Sequence, residues 1–182
     1  WAALREVEAG GEPSFVQPSA LQAAGELAER LIRLAPEGLR YVTFANSGAE
    51  AVEAAIKAVR AATGRMGILS CDNSFHGKTL GALSATNRWA YQAAFGAPVP
   101  GFAKVPYGDL AALEQLLAER GEEFAAFILE PVQGEGGIVE PPPGYLQAAK
   151  ELCRRHGVLF VLDEIQTGLG RTGRLFACEE EG

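Results

Sequence analysis

Five apolar residues in a row, Val158-Leu159-Phe160-Val161-Leu162, run straight into Asp163, Glu164 and, past Ile165, the amide of Gln166. So apolar a run predicts a strand buried on both faces, as in a parallel sheet covered by helices, and the carboxylates mark where it leaves the core. Ligands of such sheets collect at the carboxyl ends of the strands. A carboxylate abutting a buried strand is costly without a partner, so a cation or a ligand proton is expected to face Asp163.

Other stretches carry groups able to join it. Ser47-Gly48-Ala49 stands where an apolar segment gives way to a helical pattern, so free backbone N–H groups and the positive end of the helix dipole would point outward beside a hydroxyl. That combination suits a phosphate, although serine is also simply a favoured helix cap. Phe75-His76-Gly77 follows a second apolar segment and offers a flat ring and an imidazole at the same edge, or else a loop anchor. Glu130 ends a third apolar run. Glu135 lies in the loop Gln133-Gly134-Glu135-Gly136-Gly137, where it would bind a cationic substrate group or an arginine, or stand as a solvated loop glutamate. His156, beside Gly157, reads as a helix-ending residue.

These groups need elements to position them. Residues Trp1 to Pro18, with Gly10-Gly11 and two prolines, read as a mixed lead-in. Ser19 can cap a helix to about Leu34, with Leu27, Leu31 and Leu34 on one face. Tyr41 to Ala45 reads as a short strand, followed by a helix to about Ala62 whose capping box is Ser47 with Glu50 and whose buried stripe is Val52, Ile56 and Val59. Met66 to Cys71 is the next strand, and Asp72 to Pro100 is less regular, as functional or partner-covered segments are. Asp109 caps a helix through Arg120, Phe124 to Leu129 is a buried strand, and a helix from Tyr145 to His156 closes on Gly157. Strands alternating with helices give an α/β class with a mostly parallel sheet flanked by helices, read as one domain over residues 1–182. The polar ends at Asn46-Ser47, Glu130 and Asp163 should share one edge of that sheet.

Bulk properties remove several classes of function. With 182 residues, 48% apolar residues and near-neutral mean hydropathy, the chain can bury one sizeable core. Its formal charge of −7 carries no basic stripe, which argues against a nucleic-acid partner. No apolar run approaches the length of a membrane span, and no secretory leader opens the chain, so a cytoplasmic location is expected. Three widely spaced cysteines, Cys71, Cys153 and Cys178, read as reduced thiols and not as a disulfide framework or metal site. An ATPase reading, with Gly77-Lys78-Thr79 as the end of a phosphate loop, fails at Asp72, which stands where the loop pattern needs its first glycine.

Four stretches, taken together, resemble the class III aminotransferases, pyridoxal-phosphate (PLP) enzymes that include the ornithine, acetylornithine and 4-aminobutyrate aminotransferases. They are residues 44–51 (Phe-Ala-Asn-Ser-Gly-Ala-Glu-Ala), 74–79 (Ser-Phe-His-Gly-Lys-Thr), 129–137 (Leu-Glu-Pro-Val-Gln-Gly-Glu-Gly-Gly) and 162–173 (Leu-Asp-Glu-Ile-Gln-Thr-Gly-Leu-Gly-Arg-Thr-Gly). The first forty residues match only loosely.

The resemblance implies a partial large domain of PLP-transferase fold type I and PLP as cofactor. It implies that Ser47, Gly48 and Ala49 hold the phosphate, that Phe75 stacks on the ring with His76 beside it, and that Asp163 pairs with the ring nitrogen. Gln166 would reach the phenolic oxygen, and Glu130 would stand with Asp163 among the catalytic residues, just behind the groups that touch the cofactor. Glu135 matches a substrate-side glutamate. The implied reaction moves an amino group from an ω- or α-amino donor to a keto acid, in a homodimer. Family members join PLP to a lysine on a strand downstream of the Asp-Glu-Ile-Gln motif, and none of Lys57, Lys78, Lys104 and Lys150 takes that position. The chain also starts at Trp1 and stops at Gly182, so a fragment of a longer protein is expected. The competing readings are a PLP-fold protein that does not transfer amino groups and a different PLP chemistry, aminomutase, racemase or decarboxylase, on the same scaffold.

Overall fold

The computed structural model describes residues 1–10 and 22–181, which fall into two compact units, Trp1–Val42 and Thr43–Gly182. In the first unit the lead-in opens as a helix, α1 (Ala2–Gly10), and α2 spans Gln22–Leu34 with no buried residue. The expected cap at Ser19 lies outside the described residues. No strand forms over Tyr41 to Ala45, where one was expected. A strand needs a neighbour's N–H and C=O groups, and among the described residues no strand lies alongside; Tyr41 is 94% exposed.

The second unit begins with α3 (Gly48–Thr63), whose cap is Ser47 and whose buried stripe is Val52, Ile56 and Val59, as the sequence predicts. Then follow β1 (Gly67–Cys71), two short helices α4 (Leu80–Ala85) and α5 (Trp89–Gln92) that were not legible in the irregular stretch, and β2 (Phe102–Val105), equally unannounced just beyond it. Next come α6 (Leu110–Arg120), capped by Asp109, then β3 (Phe124–Leu129), α7 (Tyr145–Arg155) and β4 (Leu159–Leu162). Gly157 adopts φ +63° and, with Val158, returns N–H groups to Arg154 and Cys153, so the predicted helix stop is a Schellman turn.

The four strands pair in parallel in the order β2-β1-β3-β4. One face packs on α6 and α7 through Leu69, Leu113, Phe127, Leu129, Ala149 and Leu152, and the other packs on α3 and α4 through Ile56, Val59, Ile68, Ala82 and Ile128. β3 is buried throughout, but β4, like β2, is an edge strand, and Leu159 is 41% exposed. Its five apolar residues were expected to be covered on both faces. Val158 is buried, but Leu159, Phe160, Val161 and Leu162 are only partly covered because no described element packs beyond that edge.

At the amino end of the sheet, one guanidinium nitrogen of Arg65 lies 3.1–3.2 Å from the carbonyl oxygens of Gly121, Phe124, His156 and Gly157. A fixed cation thereby gathers carbonyls beyond α6 and α7 and at the start of β3, where the helix dipoles end negative. At the other end of α7, the Glu181 carboxylate accepts from the N–H groups of Gly144, Leu146 and Gln147, supplying the cap that Gly144 lacks. Glu164 does the same for the turn at Ala177–Glu180, accepting from the N–H groups of Ala177 and Cys178.

Candidate functional site

The chain leaves β1 toward β2 on one side and returns to β3 on the other, and that reversal of strand order leaves a crevice at their carboxyl ends. A cavity of about 320 Å³ lies there, lined by Gly48 and Ala49 of α3, Phe75, His76, Gly77 and Lys78 after β1, Glu130 and Val132 after β3, and Asp163, Ile165 and Gln166 after β4. Of the three strand ends predicted to share one edge, Glu130 and Asp163 do share it; Asn46-Ser47 ends no strand, and it is the first turn of α3, Gly48 and Ala49, that reaches the cavity.

The partner of Asp163 is His76. Its Nδ1 lies 2.7 Å from Asp163 Oδ2, with both side chains buried, and Asp163 Oδ1 accepts the N–H of Ile165 at 3.1 Å. A carboxylate acceptor requires the proton on Nδ1, so a neutral His76 carries its lone pair on Nε2, which meets no partner among the described residues. A carboxylate offers about four lone-pair positions, so Asp163 keeps capacity for a ligand N–H from the cavity.

Glu130 braces the same wall. One oxygen accepts the N–H of Phe75 at 2.9 Å and the other that of Gly134 at 3.1 Å, tying the aromatic loop to the glycine loop. Burial raises its carboxyl above the usual range, against the lowering effect of those N–H groups and of His76. Behind it, Tyr107 donates its hydroxyl toward the carbonyls of Glu130 and Pro131 at 2.9 and 2.8 Å.

Missing side chains shape the cavity as much as present ones. A Cβ on Gly48 would lie 2.8 Å from Ile165 Cδ1, and one on Gly134 would strike the amide of Gln166. The first-turn amides at Gly48 and Ala49 have no intrahelical acceptor and meet none elsewhere among the described residues, so they can take an anion. A flat ring against Phe75, an anion at α3 and a protonated nitrogen at Asp163 are what this arrangement can hold together.

Of the residues singled out in the sequence, Gly48, Ala49, Phe75, His76, Glu130, Asp163 and Gln166 line the one cavity. Ser47 stands at its margin, exposed, with Oγ accepting the Glu50 N–H while its own O–H stays available to donate. Glu135 is exposed on the glycine loop and does not line the cavity. Gly77-Lys78-Thr79 forms no phosphate cradle, because Gly77 packs on Ala49 and Thr79 donates to Glu53, which also caps α4. Sequence reasoning missed Ile165, legible only as the apolar residue inside the Asp-Glu-Ile-Gln motif, and Thr86, for which the irregular stretch gives no signal. Cys71 and Cys153 are buried and Cys178 partly so, all free. Burial pushes the Cys153 thiol up to about 12 and that of Cys178 to about 11, which makes them poor nucleophiles.

A parallel α/β sheet with these groups at its carboxyl edge defines a protein built to hold a planar anionic cofactor. Residues 13–182 match the family of class-III aminotransferases, and the chain belongs to that family. It is 48% identical over 171 residues to the aminotransferase PigE of a Serratia species, covering 93% of this chain and 20% of PigE. The fold is similar to that of the ornithine aminotransferase of Toxoplasma gondii, whose active site holds PLP at partial occupancy (TM-score 0.88, 36% identity, 99% of this chain and 43% of that one). It is equally similar to an (S)-enantioselective ω-transaminase of Thermomicrobium roseum (TM-score 0.88, 38% identity, 100% and 46%). The chain thus spans about a fifth of the curated relative and under half of these solved structures.

Proposed function

We propose that this chain forms the cofactor-holding part of a PLP-dependent aminotransferase that moves an amino group from an ω- or α-amino donor to a keto acid. The observation that carries the reading is the buried His76–Asp163 pair, opening on a cavity walled by Phe75 and closed by the first turn of α3. PLP fits the residues present: a cradle that a Cβ at Gly48 or Gly134 would fill, free amides for a phosphate, and a carboxylate with acceptor capacity left. PLP when bound supplies a ring that accepts electrons from the substrate.

The chain's own residues would do the rest. The N–H groups of Gly48 and Ala49 and the Ser47 hydroxyl hold the phosphate, and Phe75 covers the ring and keeps water from it. Asp163 keeps the proton on the ring nitrogen, with His76 fixing the carboxylate from behind. Gln166 donates to the phenolic oxygen, held against Gly134. Glu130 sets the two loops that carry these groups, and Glu135 serves the substrate side from the glycine loop. A homodimeric, cytoplasmic enzyme belongs to the same proposal, supported by the family resemblance and by the free thiols.

Titration of PLP into the full chain and into its Gly48→Val variant tests the reading. Saturable binding is expected in the first and binding weaker by at least about tenfold in the second, because the side chain meets Ile165 and blocks the amides. No saturable binding, or affinity unchanged by Gly48→Val, would overturn it.

A further inference from the structure

We propose that Thr86, at the end of α4, is a positioning residue that sets both ends of the cofactor cavity at once; the inference rests on the reading of that cavity as a PLP site. Thr86 is fully buried. Its Oγ1 accepts the N–H of His76 at 2.8 Å and that of Gly77 at 3.2 Å, and donates to the Gly77 carbonyl at 3.0 Å. A threonine hydroxyl has one proton and two lone pairs, so all its hydrogen-bonding capacity is committed to two adjacent peptides of the site loop.

Thr86 is itself held. Its N–H donates to Ala82 O at 2.9 Å, and its carbonyl accepts from Gln92 Nε2 at 2.7 Å, an amide that also binds Leu83 O at 3.0 Å. The strap therefore runs from the body of α4 and α5 to the loop. At His76 it fixes the peptide from which the imidazole reaches Asp163, at the ring-nitrogen end. At Gly77, with φ +134°, it seats a residue whose missing Cβ would lie 2.7 Å from Ala49 Cβ, at the phosphate end.

One hydroxyl thus couples the two anchor points. Ser74 also bonds into this region, donating to Ala85 O at 2.8 Å, but it holds only its own residue. Without the Thr86 hydroxyl, two N–H groups and a carbonyl lose their partner in a place water does not reach.

The test compares the full chain with its Thr86→Val and Thr86→Ser variants, using PLP as the probe. The readouts are the PLP dissociation constant and the circular dichroism induced in the visible band of PLP at saturation, which reports how the ring is held, not how much is bound. Thr86→Val is expected to weaken PLP binding by about tenfold to a hundredfold and to reduce the induced signal even at saturation. Thr86→Ser, which keeps the hydroxyl, is expected to restore both. Should the valine variant not fold, Thr86→Ala carries the same test, since it lacks the hydroxyl and adds no methyl in its place. A hydroxyl-free variant with the affinity and induced signal of the parent, even one with a lower melting point, would overturn the inference alone. Absence of PLP binding by the parent would overturn the reading of the site and this inference with it.

Discussion

Replacing Gly77 by alanine should damage the site more than the loss of one glycine's freedom explains. The residue sits at φ +134°, and a Cβ there would lie 2.7 Å from Ala49 Cβ, 2.9 Å from Ala49 Cα and 3.0 Å from Ala82 Cβ. Carbon atoms settle at about 3.5–4.0 Å, so the loop must withdraw from α3 by roughly 0.8 Å or more. The neighbouring His76 contact, now 2.7 Å, would stretch toward the distance at which a hydrogen bond ceases to count. Backbone strain of about 1–2 kcal/mol and a weakened charge-assisted bond of about 1.5–3 kcal/mol give an expected loss of roughly 2.5–5 kcal/mol. Urea unfolding measures that loss, and PLP titration should show affinity down by about tenfold or more. Gly144→Ala is the control: it has φ +77° and nothing within 4 Å of the added Cβ, so strain without collision should cost about 1 kcal/mol and leave PLP binding alone. A Gly77→Ala protein no worse than Gly144→Ala would refute the reasoning.

Two further perturbations test the frame around the site. Burial raises the Glu130 carboxyl, so its proton is held more tightly folded than unfolded: that contribution to stability is full at pH below the ordinary glutamate value and fades as pH rises through the raised one. The unfolding free energy of the parent minus that of Glu130→Gln should therefore fall as pH climbs from about 4, and a flat difference in urea titrations would count against it. Arg65→Ala should lower stability by about 2 kcal/mol, as one charge-assisted nitrogen shared among four carbonyls, with little change in PLP affinity because Arg65 lies at the opposite end of the sheet from the cavity. An unchanged urea midpoint would mean that those carbonyls are equally served by water.

Much of this arrangement was legible because it is local. The cap at Ser47, the stripe Val52, Ile56, Val59, the cap at Asp109 and the stop at Gly157 are signals contained within one helix each, and the structure realises them; the capping box expected of Ser47 with Glu50 forms only in half, since the Glu50 carboxylate accepts from the N–H of Asn46 and not of Ser47. Asp163 announced itself through cost: a carboxylate on an apolar strand needs a partner. That the partner is His76, 87 residues away, is a tertiary fact that neither the local pattern nor the family motif announced. The strand expected at Tyr41 to Ala45 and the full cover expected for β4 failed for one reason. Local pattern reports what a segment is suited to, whereas a strand's state depends on which neighbours flank it, and β4 is an edge. Thr86 stayed hidden in the stretch from Asp72 to Pro100, and β2 just beyond it, where short elements of four to six residues leave no periodicity to read.

The account stands or falls on Asp163 holding a proton on the nitrogen of a bound ring. Nitrogen NMR of isotopically labelled PLP bound to the full chain reads that proton directly. The expected shift is that of a protonated pyridine in the parent, moving to the unprotonated value in Asp163→Asn while the unfolding transition stays close to that of the parent. The same shift in both proteins, or no saturable binding of PLP to the parent, would contradict it.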